Sequence, residues 1–296
     1  MKKKLIWISL IAVIAVAGAV AFTKPCYKNI DGWTAEQNKF LKDYLYETRK
    51  VKGRKVAVLD IDGTLIGQVP YYLADEAILD YAARNESSLS DEQKKAVKYM
   101  IKSSDTAADN YTQQRITFLA GMSPTDMAKL GAEVWDRKFL DKVYPEMQQF
   151  VRNLHRFGYD VYGITCSPEY LYQDVVTKYF NIPIDHVLGR KGIVKDTKMT
   201  TENFYPVTCH EGKADTVWTL VKDAPMIAAG NSSGDAAMVA TSVGIKIWVN
   251  PSEILAEGCH ADANCIVVRS NDVDEGLDMA ARDAGIKPNK PELKDK

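Results

Sequence analysis

Net charge is nearly absent from this chain: 38 Lys and Arg stand against 39 Asp and Glu, leaving −1 at neutral pH. That balance excludes the basic footprint of a nucleic-acid-binding protein. Cysteine is also sparse. The five present (Cys26, Cys166, Cys209, Cys259 and Cys265) cannot all pair within one chain, and their spacing matches no structural zinc site. Cys26 lacks the small apolar residues that a lipoprotein signal places before its cysteine, so no lipid anchor is expected. Internal repeats are missing too. What remains is an ordinary globular composition over 296 residues, enough for one large domain or for a core with a smaller partner.

The N-terminus departs from that ordinariness. Lys2, Lys3 and Lys4 precede Leu5–Phe22, eighteen residues without a charge, and Ala19-Val20-Ala21 has the small-residue pattern of a cleavage site. A basic start, an apolar stretch and a small-residue exit are the parts of a secretory signal. The stretch is also just long enough to remain as a single membrane anchor. A buried core helix fits less well, because nothing polar marks one face. Residues 1–21 are therefore expected to be a signal peptide or anchor, and membrane contact is expected only through them. Either reading makes the rest of the chain secreted or periplasmic, where disulfides persist. Cys259 and Cys265, flanking a short polar loop, are the first choice for a bridge.

Beyond this leader, Thr34-x-x-Gln37 has the form of a capping box that opens a helix running to about Arg49. Apolar strands are expected at Val56–Leu59, Tyr159–Ile164, Met226–Ala229, Ile245–Val249 and Ile266–Val268, with helices near Val143–Phe157 and after Gly212. Alternating strands and helices imply an α/β fold with a Rossmann-like parallel sheet covered on both faces. Ligands of such sheets bind beyond the carboxyl ends of the strands. One interval breaks the rhythm. Residues 67–141 are far more than a crossover needs, and they carry helix starts at Ser90-x-x-Gln93 and Ser123-Pro124-x-Asp126. They read as a helical insertion over the site, flanked by core segments 22–66 and 142–285, with a frayed tail at 286–296.

The first strand runs straight into Asp60-Ile-Asp62-Gly63-Thr64. Carboxylates two residues apart on a strand point the same way, roughly 6–7 Å apart, unless the chain bends after the first. Such a pair repels, which raises one pKa or calls for a cation. Three further polar clusters fall at element ends. Thr165, with Ser167, follows a strand, where a hydroxyl binds an anion or caps the next helix. Lys213 opens a helix, the end where a cation is mildly disfavoured unless it holds an anion. Gly230-Asn231-Ser232-Ser233-Gly234-Asp235 follows an apolar strand and sets the oxygens of Asn231 and Asp235 where Mg²⁺ can use them.

Taken in this order, over roughly residues 54–270, the four clusters resemble the motifs of the haloacid dehalogenase superfamily. The insertion resembles that superfamily's helical cap, and Thr-x-Ser-Pro is most similar to the phosphoserine-phosphatase-like branch. The resemblance implies an aspartyl-phosphate formed on Asp60 and proton transfer by Asp62. It also implies phosphoryl binding by Thr165 and Lys213, and Mg²⁺ held by Asp60, the Asp62 carbonyl and the first residue of the last motif. The partner implied is a small phosphorylated metabolite. Two departures stand out. Asn231 occupies a position that is usually Asp, leaving Asp235 to compensate, directly or through an ordered water. The stretch Gly67–Tyr72 lacks the glutamate that phosphoserine phosphatases use for the substrate amine. Tyr71 and Tyr72, with Trp135, either form an aromatic wall for a cationic headgroup or pack the insertion on the core. Phosphoryl transfer to another acceptor, and a degenerate fold that only binds a ligand or partner, are the rival functions. Cys166 and Cys209, each beside a phosphate-binding segment, become neighbours if those segments converge.

Overall fold

The computed structural model describes residues 25–68, 71–103, 105, 106 and 108–270. The expected leader and tail lie outside them. In chain order the elements are α1 (Ala35–Thr48), β1 (Val56–Leu59), α2 (Leu73–Arg84), α3 (Asp91–Lys102), α4 (Asp109–Leu119), α5 (Pro124–Lys138) and α6 (Pro145–Arg156). They continue as β2 (Asp160–Pro168), α7 (Glu169–Phe180), β3 (Val187–Arg190), β4 (Gly192–Lys195), β5 (Lys198–Asn203) and α8 (Glu211–Thr216). The chain closes with β6 (Ile227–Gly230), α9 (Ala236–Ala240), β7 (Ile245–Val249), α10 (Glu253–His260) and β8 (Cys265–Val268).

Six strands form one sheet in the order β3-β2-β1-β6-β7-β8, parallel at every pairing. Strand alternation sorts the core into two layers. Ala57, Leu59, Val161, Ile227, Ile245 and Ile247 face a large cluster that includes Leu41 and Leu45 of α1, Phe150 and Leu154 of α6, and Val176 of α7. Val56, Val58, Ile164, Ala228 and Trp248 face the other way, onto Val217, Val221, Met238, Val239 and Cys259. Both faces are thus dry, as a parallel sheet requires.

The local signals work where expected. Thr34 and Gln37 form a capping box at α1, Ser90 and Gln93 another at α3, and the Ser123 side chain accepts from Asp126 N at α5. Helices α2 to α5 all fall between β1 and β2, in the interval that broke the rhythm. Two features lie outside the sequence expectations: the edge strand β3 and the separate antiparallel hairpin β4–β5. Among the described residues no helix is long and apolar enough to cross a membrane.

Candidate active site

Loops leave the carboxyl ends of the adjacent strands β1 and β6. On the other side of β1, β2 carries Thr165 and Ser167 in its last residues and runs directly into α7, and α8 opens beside them. Asp60 continues the ladder by one bond, Asp60 N to Ala229 O (2.9 Å), and then the chain bends. Thr64, Leu65 and Ile66 all donate their amides to the Ile61 carbonyl, with Gly63 at φ +81 at the turn. A side chain at 63 is excluded twice over. The left-handed backbone disfavours it, and a Cβ there would stand 2.0 Å from Asn231 Nδ2 and 2.8 Å from Gln68 Nε2. The Asn231 and Gln68 amides therefore lie directly against the backbone that follows Asp62.

The bend gives the two aspartates different surroundings. Asp60 Oδ1 faces Lys213 Nζ at 2.5 Å, and Oδ2 accepts from Thr64 Oγ1 at 2.9 Å. Lys213 also reaches Asp235 Oδ1 at 2.6 Å. The other Asp235 oxygen accepts from the Asn231 and Ser232 amides and from Ser232 Oγ, so it folds the loop that presents Asn231. Asp62 meets hydroxyls instead. Thr165 Oγ1 (3.0 Å) and Ser167 Oγ (2.9 Å) donate to its Oδ2, and Tyr172 Oη (2.8 Å) donates to its Oδ1.

The electrostatics follow from burial. Burial first, then the Asp235 charge, pushes the Asp60 carboxyl up to about 7, against the pull of Lys213. Asp62 is a smaller influence on Asp60 than Asp235 is, so the repulsion expected between the paired aspartates falls mainly between Asp60 and Asp235. Burial also raises Asp62, while its three hydroxyl partners and the nearby Arg115 oppose the shift. Burial works against the Lys213 ammonium, yet the two carboxylates hold its pKa above the usual range. Burial, reinforced by Asp62, raises the Tyr172 phenol well above its usual value and keeps it a donor.

The sequence-derived residues come together, with differences. Asp60, Asp62, Thr165, Lys213, Asn231 and Asp235 converge at one sheet edge. The Thr165 hydroxyl donates to Asp62 and accepts from Ser167 N (3.0 Å), so it serves the acid in this geometry. The Tyr72 ring lies under the Arg115 guanidinium, 4.9 Å away, and Tyr71 beside it is half-buried. Trp135 does not join an aromatic wall. It is 1% exposed and packs against Phe139 and against Tyr179 of α7. Both anticipated bridges, Cys166–Cys209 and Cys259–Cys265, are present, and Cys26 is free and exposed. The Thr208 hydroxyl donates to the Thr165 carbonyl (2.7 Å), a second tie beside the first bridge.

Tyr172, Thr208 and the buried pair Arg115–Asp75 (2.8 Å) escaped the sequence reading. Thr64 lay inside the first motif, four residues from Asp60, and its hydroxyl was legible there. Tyr172 sits among several tyrosines of α7, and nothing local marks it.

Residues 57–240 match the haloacid dehalogenase-like hydrolase family. The chain belongs to that family. Solved structures share its fold at low identity. A functionally unknown protein from Anaerococcus prevotii DSM 20548 is 15% identical with TM-score 0.62, covering 82% of this chain and 94% of its own. A protein of unknown function from Bordetella pertussis Tohama I is 19% identical with TM-score 0.58, covering 73% and 99%. A probable phosphoserine phosphatase from Vibrio cholerae, unliganded, is 16% identical with TM-score 0.52, covering 88% and 77%. No curated protein sequence matches the chain.

Haloacid dehalogenase-like hydrolases commonly use Mg²⁺, and the donor chemistry here suits it. Three carboxylates, Asp60, Asp62 and Asp235, are buried at this edge. Lys213 pairs with Asp60 and Asp235, Asp62 is held by hydroxyls, and Arg115 is already neutralised by Asp75. Burial raises Asp60 first, and the negative charge of Asp235 adds to it. Among the described residues no three His, Cys, Asp or Glu side chains form a ready cage. A magnesium ion held here would draw on carbonyl, amide and water oxygens as well, in keeping with its habit of using one or two carboxylates.

Proposed function

We propose that this hydrolase is a Mg²⁺-dependent phosphomonoesterase acting on a small organic phosphate outside the cytoplasm. The observation that carries the reading is the Lys213 ammonium held between Asp60 and Asp235, with Asp62 hydrogen-bonded beside it at the same sheet edge. The family match and the fold shared with a probable phosphoserine phosphatase support it.

In this reading an Asp60 carboxylate oxygen attacks phosphorus, and the bond from phosphorus to the ester oxygen breaks. Asp62 gives that oxygen its proton. Water then attacks the aspartyl-phosphate and passes a proton back to Asp62, and the bond to Asp60 breaks to release inorganic phosphate. A carboxylate nucleophile divides one difficult displacement into two, and a carboxyl whose pKa is raised by burial can transfer protons in both. Thr64 orients the Asp60 oxygen that Lys213 does not hold. Lys213 offsets negative charge on the phosphoryl oxygens, and Thr165 acts through Asp62. The Asp60 carboxylate, the Asp62 carbonyl and the Asn231 amide oxygen would hold Mg²⁺, which when bound would supply further charge neutralisation for a dianionic ester. Asp235 serves it through the loop it folds.

The substrate is not phosphoserine on this reading, since Gly67–Tyr72 offers no acid for an ammonium. The Tyr72 ring already faces a guanidinium, which speaks for packing of the insertion rather than a cationic headgroup cage. Two disulfides and the apolar leader sequence support export. The test is phosphate release from an aryl phosphate with and without Mg²⁺, beside Asp60→Asn. Turnover that needs the metal and vanishes in the variant is expected. Metal-independent turnover or an active variant overturns the mechanism, and silence across a broad panel of phosphomonoesters favours a binding protein.

A further inference from the structure

The acid Asp62 is joined to the helical insertion through one side chain. Tyr172 lies in the first turn of α7 and is fully buried. Its hydroxyl donates to Asp62 Oδ1 (2.8 Å) and accepts from the Ala74 amide (3.2 Å). Ala74 is the second residue of α2, whose first amides have no intrahelical partner. Tyr72, the residue before that helix, makes no side-chain cap. The phenol therefore caps an insertion helix on one side and orients a core carboxylate on the other.

Two further contacts fix this arrangement. Gly131 of α5 lies against the residue before Tyr172: a Cβ at 131 would stand 2.1 Å from the Leu171 carbonyl oxygen. The insertion is thus seated on α7 by close backbone approach, with no room for a side chain. On the other flank, Arg115 of α4 is buried, paired twice with Asp75 of α2 (2.8 and 2.9 Å), and lies between the rings of Tyr72 and Tyr111. Movement of α2 away from the core breaks the Ala74 bond and carries the Arg115–Asp75 pair with it.

We propose that Tyr172 is a positioning residue that holds Asp62 in its proton-transfer orientation while the insertion is seated. The proposal rests on the reading of Asp62 as proton carrier. Of the hydrogen bonds made to Asp62, those from Thr165 and Ser167 stay within β2 and the core, whereas the Tyr172 hydroxyl is shared with the insertion. An acid out of line harms most those esters whose leaving oxygen needs a proton. Aryl phosphates, whose phenolate leaves well unaided, suffer less.

The experiment compares glycerol 2-phosphate, an alkyl ester, with p-nitrophenyl phosphate in wild type, Tyr172→Phe and Asp62→Asn, all with Mg²⁺. In Tyr172→Phe the kcat/KM for the alkyl ester, which reads the steps up to departure of the ester oxygen, is expected to fall about tenfold further than that for the aryl ester, a fraction of the effect of general acid catalysis. Equal losses on both esters, or none, overturn the proposal while Asp62→Asn still discriminates against the alkyl ester. If Asp62→Asn itself treats both esters alike, the proton-carrier reading fails and the proposal falls with it. Should Tyr172→Phe be unfolded by circular dichroism, 3-fluorotyrosine at position 172 keeps the ring and makes the phenol a stronger donor. The alkyl-to-aryl ratio is then expected to move opposite to a loss of the bond, and an unmoved ratio overturns the proposal.

Discussion

Asp60 and Asp62 stand two residues apart, both buried, yet the fold treats them as opposites. Asp60 sits in a field of full charges, with a lysine at 2.5 Å and a second carboxylate on the far side of that lysine. Asp62 sits among neutral hydroxyls, from β2 and α7. The difference teaches that a single turn at Gly63 is enough to give adjacent acids separate chemistry. In the charged neighbourhood Lys213 favours the ionised nucleophile, against burial and the Asp235 charge. A hydroxyl neighbourhood orients a group and leaves its proton free to come and go.

The sharpest break in this comparison removes each acid in turn. Asp60→Asn is expected to lower phosphate release by about 10⁴-fold, as loss of a nucleophile does. Asp62→Asn is expected to cost about 10²–10⁴-fold, within the range of acid–base catalysis. Stopped assays on one aryl ester rank the two, and a more active Asp60→Asn would reverse the assignment.

Next comes Lys213. Replacing it with Met leaves Asp60 and Asp235 buried without their cation, a change worth about 3–5 kcal/mol in a buried pair. Thermal unfolding in EDTA should register the loss, and Asp235→Asn in the same protein should restore part of it. No such recovery would show that the three charges do not act as one unit.

The Cys166–Cys209 bridge ties the two neighbourhoods together, because it runs from between Thr165 and Ser167 to the segment just before Lys213. Changing both cysteines to serine is expected to lower stability by about 2–4 kcal/mol and to reduce kcat in the folded protein. Opening Cys259–Cys265, whose partners are only six residues apart and far from these acids in sequence, should leave kcat untouched.

A smaller effect separates the acids by pH. In the metal-free protein Asp60 titrates at about 7, against about 4 when unfolded. Between those values the folded state binds more protons, so stability falls as pH rises from about 4 to about 7. Asp62, also raised, contributes with the same sign. Melting temperatures in EDTA should therefore drop across that window, less steeply in Asp60→Asn, and a flat wild-type profile would contradict the charge arrangement. Smallest of all, Asn231→Asp should tighten Mg²⁺ by about tenfold or less, by adding a charged ligand. Unchanged or weaker binding would remove Asn231 from the ligand set.

Much of this was legible in the sequence for a physical reason. Asp60, Asn231 and Asp235 follow apolar runs that can only be buried strands, and parallel strands deliver their carboxyl ends to one edge. The same logic brought Cys166 to Cys209. What escaped depends on distant pairing. Arg115 and Asp75 meet across 40 positions between two insertion helices, and Tyr172 reaches Asp62 across 110. Neither partner carries a local mark. Trp135 kept two readings open in the sequence, because an aromatic residue in a helix near a site looks the same whether it lines a cavity or fills a core; it packs the insertion against α7. The hairpin β4–β5 was hidden because its turn places Asp196 and Thr197, not glycine, at positive φ.

That hairpin has a consequence for the integrity of the chain. Its tip, Lys195 to Lys198, is exposed and carries a lysine at each end, and it lies between the two cysteines of the Cys166–Cys209 bridge. A protease that cuts after either lysine produces two polypeptides that stay joined through sulfur. Such a nicked molecule migrates intact on a non-reducing gel and separates into two fragments only when a thiol is added.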